Sequence, residues 1–263
     1  MKTIFITGTS SGIGKATVKL FHLQGWNVIA TMRNPERETE LSQLENVILL
    51  PLDITNAGQI KSTVEKAISL RNIDVVLNNA GVGLFGVMEA YNDEQIMQQI
   101  NTNLLGTMHV TQAFIPYFRE KKNGLFINVT SIAGLMASPF SSVYHAVKWA
   151  IEGWSESLSI ELSMFNIGVK TVSPSGTKTN LFNHSENVVS HPAYNSAVQK
   201  VWDRINLNTT PEQIAEVIYE AATDYKDQLR YVAGENGKAA YARRLEIGAE
   251  AFRKEIKKWF LSL

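Results

Sequence analysis

The chain has 263 residues, long enough for one large α/β unit or two small ones and long enough to bury roughly 70–75% of its surface without a disulfide or metal staple. Its 25 basic residues balance 25 acidic ones, so no overall field draws it to nucleic acid or to an anionic membrane. It has no cysteine, which excludes thiolate catalysis, cysteine-held zinc and disulfides.

The first apolar run, 3–7, follows directly on Met1-Lys2. It is too short for a signal peptide, and no stretch approaches the ~20 apolar residues that span a bilayer. The expectation is a first β-strand in a cytoplasmic protein with no membrane insertion. Further strand-length runs without polar alternation lie at 27–31, 47–50, 73–77, 125–130, 169–172 and 230–232. Helical patterns occupy 13–24, 56–70, 93–119, 142–165 and 211–225. This alternation predicts an α/β fold, a doubly wound, mostly parallel sheet of about seven strands with helices on both faces. No linker or repeat divides it, so 1–263 reads as one domain. Two regions break the rhythm. Residues 180–208 are polar and irregular, the mark of a functional or mobile connection, and 237–263 reads as one basic amphipathic helix with its charged face in solvent.

The first strand runs into Thr7-Gly8-Thr9-Ser10-Ser11-Gly12-Ile13-Gly14 and then a helix. Glycine permits positive φ and close backbone approach, and the free N–H groups of a helix start suit a pyrophosphate. The spacing is G-x-x-x-G-x-G instead of the commoner G-x-G-x-x-G, and a plain strand-to-helix turn could use the same residues. Its place in the first β-α unit favours a dinucleotide cradle made by Gly8, Ser10, Ser11, Gly12, Ile13 and Gly14. After the second strand, where an acid would take a ribose 2′-hydroxyl, stands Arg33. A guanidinium matches a 2′-phosphate with a bond worth roughly 1.5–3 kcal/mol. NADP(H) is therefore expected over NAD(H), unless Arg33 is an ordinary surface arginine.

Later strand ends supply Asn78-Asn79-Ala80-Gly81 and Thr130-Ser131. The helix that follows carries Tyr144 and Lys148 one turn apart, beside an apolar stripe of Val143, Val147, Ile151, Trp154, Leu158 and Leu162. A tyrosine that titrates near 10 is a poor base at neutral pH. Lowering it by about 3 units takes ~4 kcal/mol, which a neighbouring ammonium and a cationic nicotinamide could supply. Alone, Tyr-x-x-x-Lys says little, because surface pairs share it. Asn103 reads equally as a satisfied buried amide and Ser131 as a turn cap, while His109 and His145 read as surface or structural residues.

Taken together and in this order, Gly8/Gly12/Gly14, Asp53, Asn78-Asn79-Ala80-Gly81, Asn103, Ser131, Tyr144 and Lys148 resemble the short-chain dehydrogenase/reductase family over nearly the whole chain. Around Tyr144 the chain is similar to steroid and retinol dehydrogenases and to carbonyl reductases. The resemblance implies a Rossmann-like oxidoreductase that moves a hydride between NADP(H) and an alcohol/carbonyl pair. It implies that Tyr144 exchanges a proton with the substrate oxygen and Ser131 holds that oxygen. Lys148 would hold the nicotinamide ribose and lower the Tyr144 pKa, and Asn103 would keep its helix open for a water linking Lys148 to solvent. Asp53, beside Ile54, would touch the adenine; Asn79, with Ala80 and Gly81, would support the cofactor cleft; Pro174, Thr177 and Thr179 would lie at the nicotinamide. Two positions depart from the family pattern. Ser175 stands where a glycine usually follows Pro174, which loosens the contacts expected of Thr177 and Thr179. Val147 replaces a small polar residue before the lysine, which implies tighter packing.

The substrate pocket is expected between 82–86, 135–140 and 180–208. There Leu84, Phe85, Leu135, Met136, Phe140 and Phe182 either wall the pocket or pack the core. A hydrophobic ketone, aldehyde or secondary alcohol fits such a wall, and no cluster has metal-ligand spacing. Ala146, Ala150, Gly153 and Ser157 allow close approach to the Tyr144 helix, and the resemblance implies a homodimer or homotetramer. A catalytically silent cofactor-binding sensor or scaffold would be expected to lack part of the tetrad. An epimerase or dehydratase would usually carry a larger substrate domain.

Overall fold

Strands that are apolar on both sides need helices on both sides. The computed structural model, which describes residues 1–179 and 188–261, has that arrangement. Its first half runs β1 (Thr3–Thr7), α1 (Gly12–Leu23), β2 (Asn27–Met32), β3 (Val47–Pro51), α2 (Ala57–Leu70), β4 (Val75–Asn78), β5 (Phe85–Gly86), α3 (Asp93–Gln99), α4 (Gly106–Lys121) and β6 (Gly124–Val129). The second half runs α5 (Ser142–Ser163), β7 (Ile167–Pro174), β8 (Val188–Val189), α6 (Asn195–Trp202), α7 (Pro211–Thr223), β9 (Arg230–Ala233), α8 (Glu235–Ile247) and α9 (Ala249–Leu261).

Seven of the strands form one parallel sheet in the order β3-β2-β1-β4-β6-β7-β9. The winding reverses between β1 and β4, the place where such sheets bind ligands at their carboxyl ends. Side chains alternate between two cores. Ile4, Ile6, Val28, Ala30 and Leu77 pack with Val18 and Phe21 of α1 and with Ile214 and Ile218 of α7. Their sequence neighbours Phe5, Ile29 and Val76 pack the other way, against Val64 of α2, Phe114 of α4 and Leu158 of α5. Each such buried side chain stabilises the fold by roughly 1.5–3 kcal/mol relative to exposure. This is the doubly wound, Rossmann-like architecture expected from the alternation. Helix starts are fixed locally: Asn56 caps α2 through Gln59, and Thr210 and Gln213 form a capping box with Pro211 at the start of α7.

Three expectations are corrected. The predicted helix over 93–119 is α3, then a π-helical turn Ile100–Leu105, then α4. The predicted tail helix is α8 and α9, broken at Gly248 with φ +81°. Within 180–208, residues 180–187 lie outside the described residues, but the remainder is not structureless. It holds β8, which pairs in parallel with β5, and α6.

Candidate active site

The loop after β1 is shaped by contacts that leave no room for side chains. A Cβ on Gly14 would lie 2.2 Å from the Gly8 carbonyl oxygen and 2.5 Å from Asn79 Nδ2. Gly8, at φ +71°, presses on the Ala80 backbone, where a Cβ would come within 2.6 Å of the Ala80 Cα. The rest of the loop is tied down from two strands. The Gly8 and Thr9 N–H groups and the Thr9 hydroxyl all donate to the Thr31 carbonyl of β2, at 3.0–3.1 Å. Asn79 Nδ2 donates to the Thr7 and Gly8 carbonyls at 2.9 Å, and the Thr7 hydroxyl accepts from the Asn79 and Ala80 N–H groups at 3.0 Å. Ser10 and Ser11 remain exposed, with Gly12 and Ile13 partly so, at the start of α1, whose first N–H groups have no intrahelical partner. A cradle of backbone donors at a helix start, held open by two glycines that cannot carry a Cβ, fits a pyrophosphate. Thr7 and Thr9, which the sequence does not mark as site residues, are what hold it in shape.

The catalytic candidates meet at the ends of β4 and β6. Tyr144 is buried, and the Ser131 hydroxyl lies near enough to favour its phenolate. Burial pushes its phenol up to about 12, while the Ser131 hydroxyl pulls the other way. Ser131 also caps the turn at Ile132–Gly134, its Oγ accepting from the Ala133 N–H at 3.1 Å. Lys148, one turn on, places Nζ 5.7 Å from the Tyr144 ring centroid and donates to the Val129 carbonyl at 3.0 Å. Burial pushes this ammonium down to about 8, and Glu152 opposes the fall. Asn103 sits in the π-helical turn and clamps Val82, accepting its N–H and donating to its carbonyl, both at 2.8 Å. Gly81 makes room for this clamp, since a Cβ there would lie 2.8 Å from Asn103 Oδ1.

Other expected cofactor positions are at the same edge of the sheet but less tightly gathered. Arg33 is exposed at the end of β2. Asp53 accepts from the Thr55 hydroxyl and N–H at 2.7 and 2.9 Å; those bonds and the Arg33 charge hold its carboxyl below the usual range. Ile54 packs on Gly106 as part of the core. Lys15 of α1, beside the cradle, is taken by Glu38 and Glu40, both at 3.0 Å, a pairing for which the sequence holds no cue. Pro174 ends β7, and the Thr177 hydroxyl donates to the Ser175 carbonyl at 2.7 Å. Thr179 lies over Gly12, its methyl 3.4 Å from where a Cβ would be. Ser175, the departure from the family pattern, is accommodated by Gly234: a Cβ there would meet Ser175 Oγ at 2.0 Å.

Three segments close over Tyr144. The Phe85 ring lies 5.3 Å from the Tyr144 ring and 5.8 Å from that of Trp202 on α6. The Gly86 N–H donates to the Phe140 carbonyl at 2.7 Å and the Val87 N–H to the Val189 carbonyl at 3.0 Å. Gly86 has φ +136° and no space for a Cβ beside Val189. Leu84 and Leu135 are buried, Met136 and Phe140 half-buried, and Phe182 lies outside the described residues. His145 is structural. Its Nδ1 is 2.6 Å from the Ala133 carbonyl and its Nε2 accepts the Ser138 N–H at 3.0 Å, which fixes the 133–138 segment. His109 is exposed.

The family model for short chain dehydrogenase matches residues 2–188. The chain belongs to the short-chain dehydrogenase family. It is an oxidoreductase of the NAD(P)-dependent kind that acts on CH–OH groups and carbonyls. It is 42% identical over 210 residues to an uncharacterized oxidoreductase of Schizosaccharomyces pombe, covering 78% of this chain and 89% of that one. It is 38% identical over 177 residues to the 3-ketodihydrosphingosine reductase of Bacteroides thetaiotaomicron, covering 67% and 64%. Among solved structures, ElxO with NADP bound superposes with a TM-score of 0.78 at 25% identity, covering 90% of this chain and 99% of that one. No described helix of this short-chain dehydrogenase is long and apolar enough to cross a membrane.

Proposed function

We propose that the protein is an NADP(H)-dependent oxidoreductase that interconverts apolar ketones or aldehydes and the corresponding alcohols. The observation that carries this reading is the buried Tyr144 beside Ser131, with the Lys148 ammonium 5.7 Å from its ring, under the wall of Phe85 and Trp202. When bound in the cradle after β1, a nicotinamide cofactor supplies the hydride, or accepts it in the reverse direction. The chain's own residues do the rest. Ser131 donates to the substrate oxygen and holds it at the phenol. Tyr144, protonated at rest because burial holds its phenol at about 12, gives its proton to that oxygen as the carbonyl is reduced. Alcohol oxidation requires the phenolate instead, which from about 12 takes on the order of 7 kcal/mol of stabilisation at neutral pH. Lys148 and the positive charge of the oxidised cofactor are the sources of it. Asn103 holds the segment after β4 in place through Val82.

The exposed Arg33 supports NADP(H) over NAD(H), as does the NADP in ElxO. The aromatic wall, together with a relative named for 3-ketodihydrosphingosine, supports an apolar carbonyl substrate. On α5, Ala146, Trp149, Gly153 and Ser157 are exposed, and a helix-interior glycine that nothing approaches is a stability cost without a partner. That face supports a dimer built on α5. Cofactor and substrate are held by one domain, in a cytoplasmic protein.

The test is cofactor consumption with NADPH and with NADH over a panel of medium-chain ketones, aldehydes and quinones. The proposal expects turnover of at least one apolar carbonyl with a preference for NADPH. Tight cofactor binding with no turnover on any member would instead make the protein a sensor.

A further inference from the structure

Glu152 is 3% exposed, lies one turn beyond Lys148 on α5, and has no part in the chemistry above. Burying a carboxylate costs several kcal/mol unless every lone pair is matched. Here four donors match them. Oε1 accepts the Thr130 hydroxyl at 2.6 Å and the Ser173 hydroxyl at 2.9 Å. Oε2 accepts the Thr171 hydroxyl at 3.2 Å and Arg230 Nε at 3.0 Å. Arg230 in turn reaches Glu156 at the surface. The donors come from the end of β6 and from its neighbours β7 and β9. Thr130 is the residue before Ser131, and Ser173 lies just before the Pro174–Thr179 segment. The turn at Gly134 rests on the same place, since a Cβ on it would lie 3.0 Å from Glu152 Cγ.

A buried ion pair of this kind adds little stability over an apolar substitute, so its value lies in what it positions. We infer that Glu152 is a positioning residue: its carboxylate locks the ends of β6, β7 and β9 onto the helix that carries Tyr144, and it sets a negative charge one helical turn from Lys148. The inference rests on the catalytic reading for its consequence, not for its geometry. The groups paired with Lys148 or Glu152 are Tyr144 on α5, Arg230 on β9, the Val129 carbonyl of β6 with Thr130 just after it, and Thr171 and Ser173 on β7. Of the charges, Glu152 favours the protonated lysine, and Arg230, behind it, partly cancels Glu152. Removing the two charges must therefore move Lys148 in opposite directions.

The experiment is a carbon-13 NMR titration of lysine-labelled full-length protein, with the Lys148 signal assigned by Lys148→Met. Glu152→Gln is expected to lower the Lys148 midpoint by about half a pH unit or more, a roughly threefold or larger change in proton affinity, and Arg230→Gln to raise it. In turnover, the kcat loss of Glu152→Gln should grow from about pH 6 to about pH 8, with the cofactor Kd within about twofold of wild type. A merely structural role would lower kcat equally at every pH. A Lys148 midpoint that stays put in the folded variants overturns the inference, and should Glu152→Gln not fold, Arg230→Gln decides alone. Failure of the catalytic reading has a different signature, turnover that survives Tyr144→Phe, and leaves the titration result intact.

Discussion

The nucleotide half and the substrate half of the cleft are built on different principles. Around β1 and α1 the shape is set by backbone: positive φ at Gly8 and Gly12, a Gly14 pressed on the Gly8 carbonyl, and Thr7, Thr9 and Asn79 bonding to main-chain groups. Around Tyr144 the shape is set by side chains from three distant segments, with Phe85 between Tyr144 and Trp202 and a two-residue strand pair behind it. A backbone cradle accepts one chemical group and tolerates little change. A side-chain wall is adjustable, and on the proposed function substrate choice resides there.

The sharpest way to break the contrast is Gly14→Ala. A methyl 2.2 Å from a carbonyl oxygen cannot be absorbed by a side-chain rotation, so cofactor affinity should fall at least about 100-fold, ~2.7 kcal/mol, by calorimetry. Affinity within a few-fold of wild type would mean that the cradle is not the cofactor site. Next in size, Arg33→Ala should reduce the preference for NADPH over NADH, read as the ratio of their dissociation constants, by about 10–150-fold. An unchanged ratio would return Arg33 to the status of a surface residue.

On the other side, Phe85→Ala should raise KM for apolar carbonyls roughly 3–10-fold and admit bulkier ones, the loss of one aromatic contact to the substrate being worth about 0.5–1.5 kcal/mol. Cofactor Kd should stay within about twofold; a comparable loss there would show that the two halves are not separable. The smallest effect lies outside both. Burial pushes the Asp224 carboxyl up, but Lys170, Tyr231 and the Lys226 N–H outweigh it and hold it down to about 2. Because the folded-state value is depressed, the stabilisation is present above the ordinary carboxylate range and is lost as pH falls towards about 2. Asp224→Asn should lower the melting temperature near neutrality and flatten its fall between about pH 4 and about pH 2. An equally steep fall would remove Asp224 from the acid response.

The same contrast explains what could be read from the sequence. The central strands were legible because continuous apolar runs such as Ile4-Phe5-Ile6 have few alternatives to a doubly covered sheet. The cradle was legible because glycine spacing reports backbone shape directly. The π-helical turn was not, since 93–119 keeps its apolar period across it while the partner of its Asn103, Val82, is 21 residues away in sequence. The β5–β8 pair leaves no periodic signal in two residues. Glu152 lies beside an apolar stripe, and its burial depends on donors from β6, β7 and β9 that no local pattern announces. The tail reads as one helix because a single interior glycine is no stop signal by itself, although the φ of +81° at Gly248 ends α8.

The central claim is that Tyr144 moves the proton, and single-turnover kinetics of Tyr144→Phe with a carbonyl that the wild type reduces test it most directly. A positioned proton donor contributes about 10²–10⁴-fold, so the rate should fall by that factor with cofactor Kd unchanged within about twofold. A rate within about tenfold of wild type would contradict the account, because the phenol would then not be the proton donor.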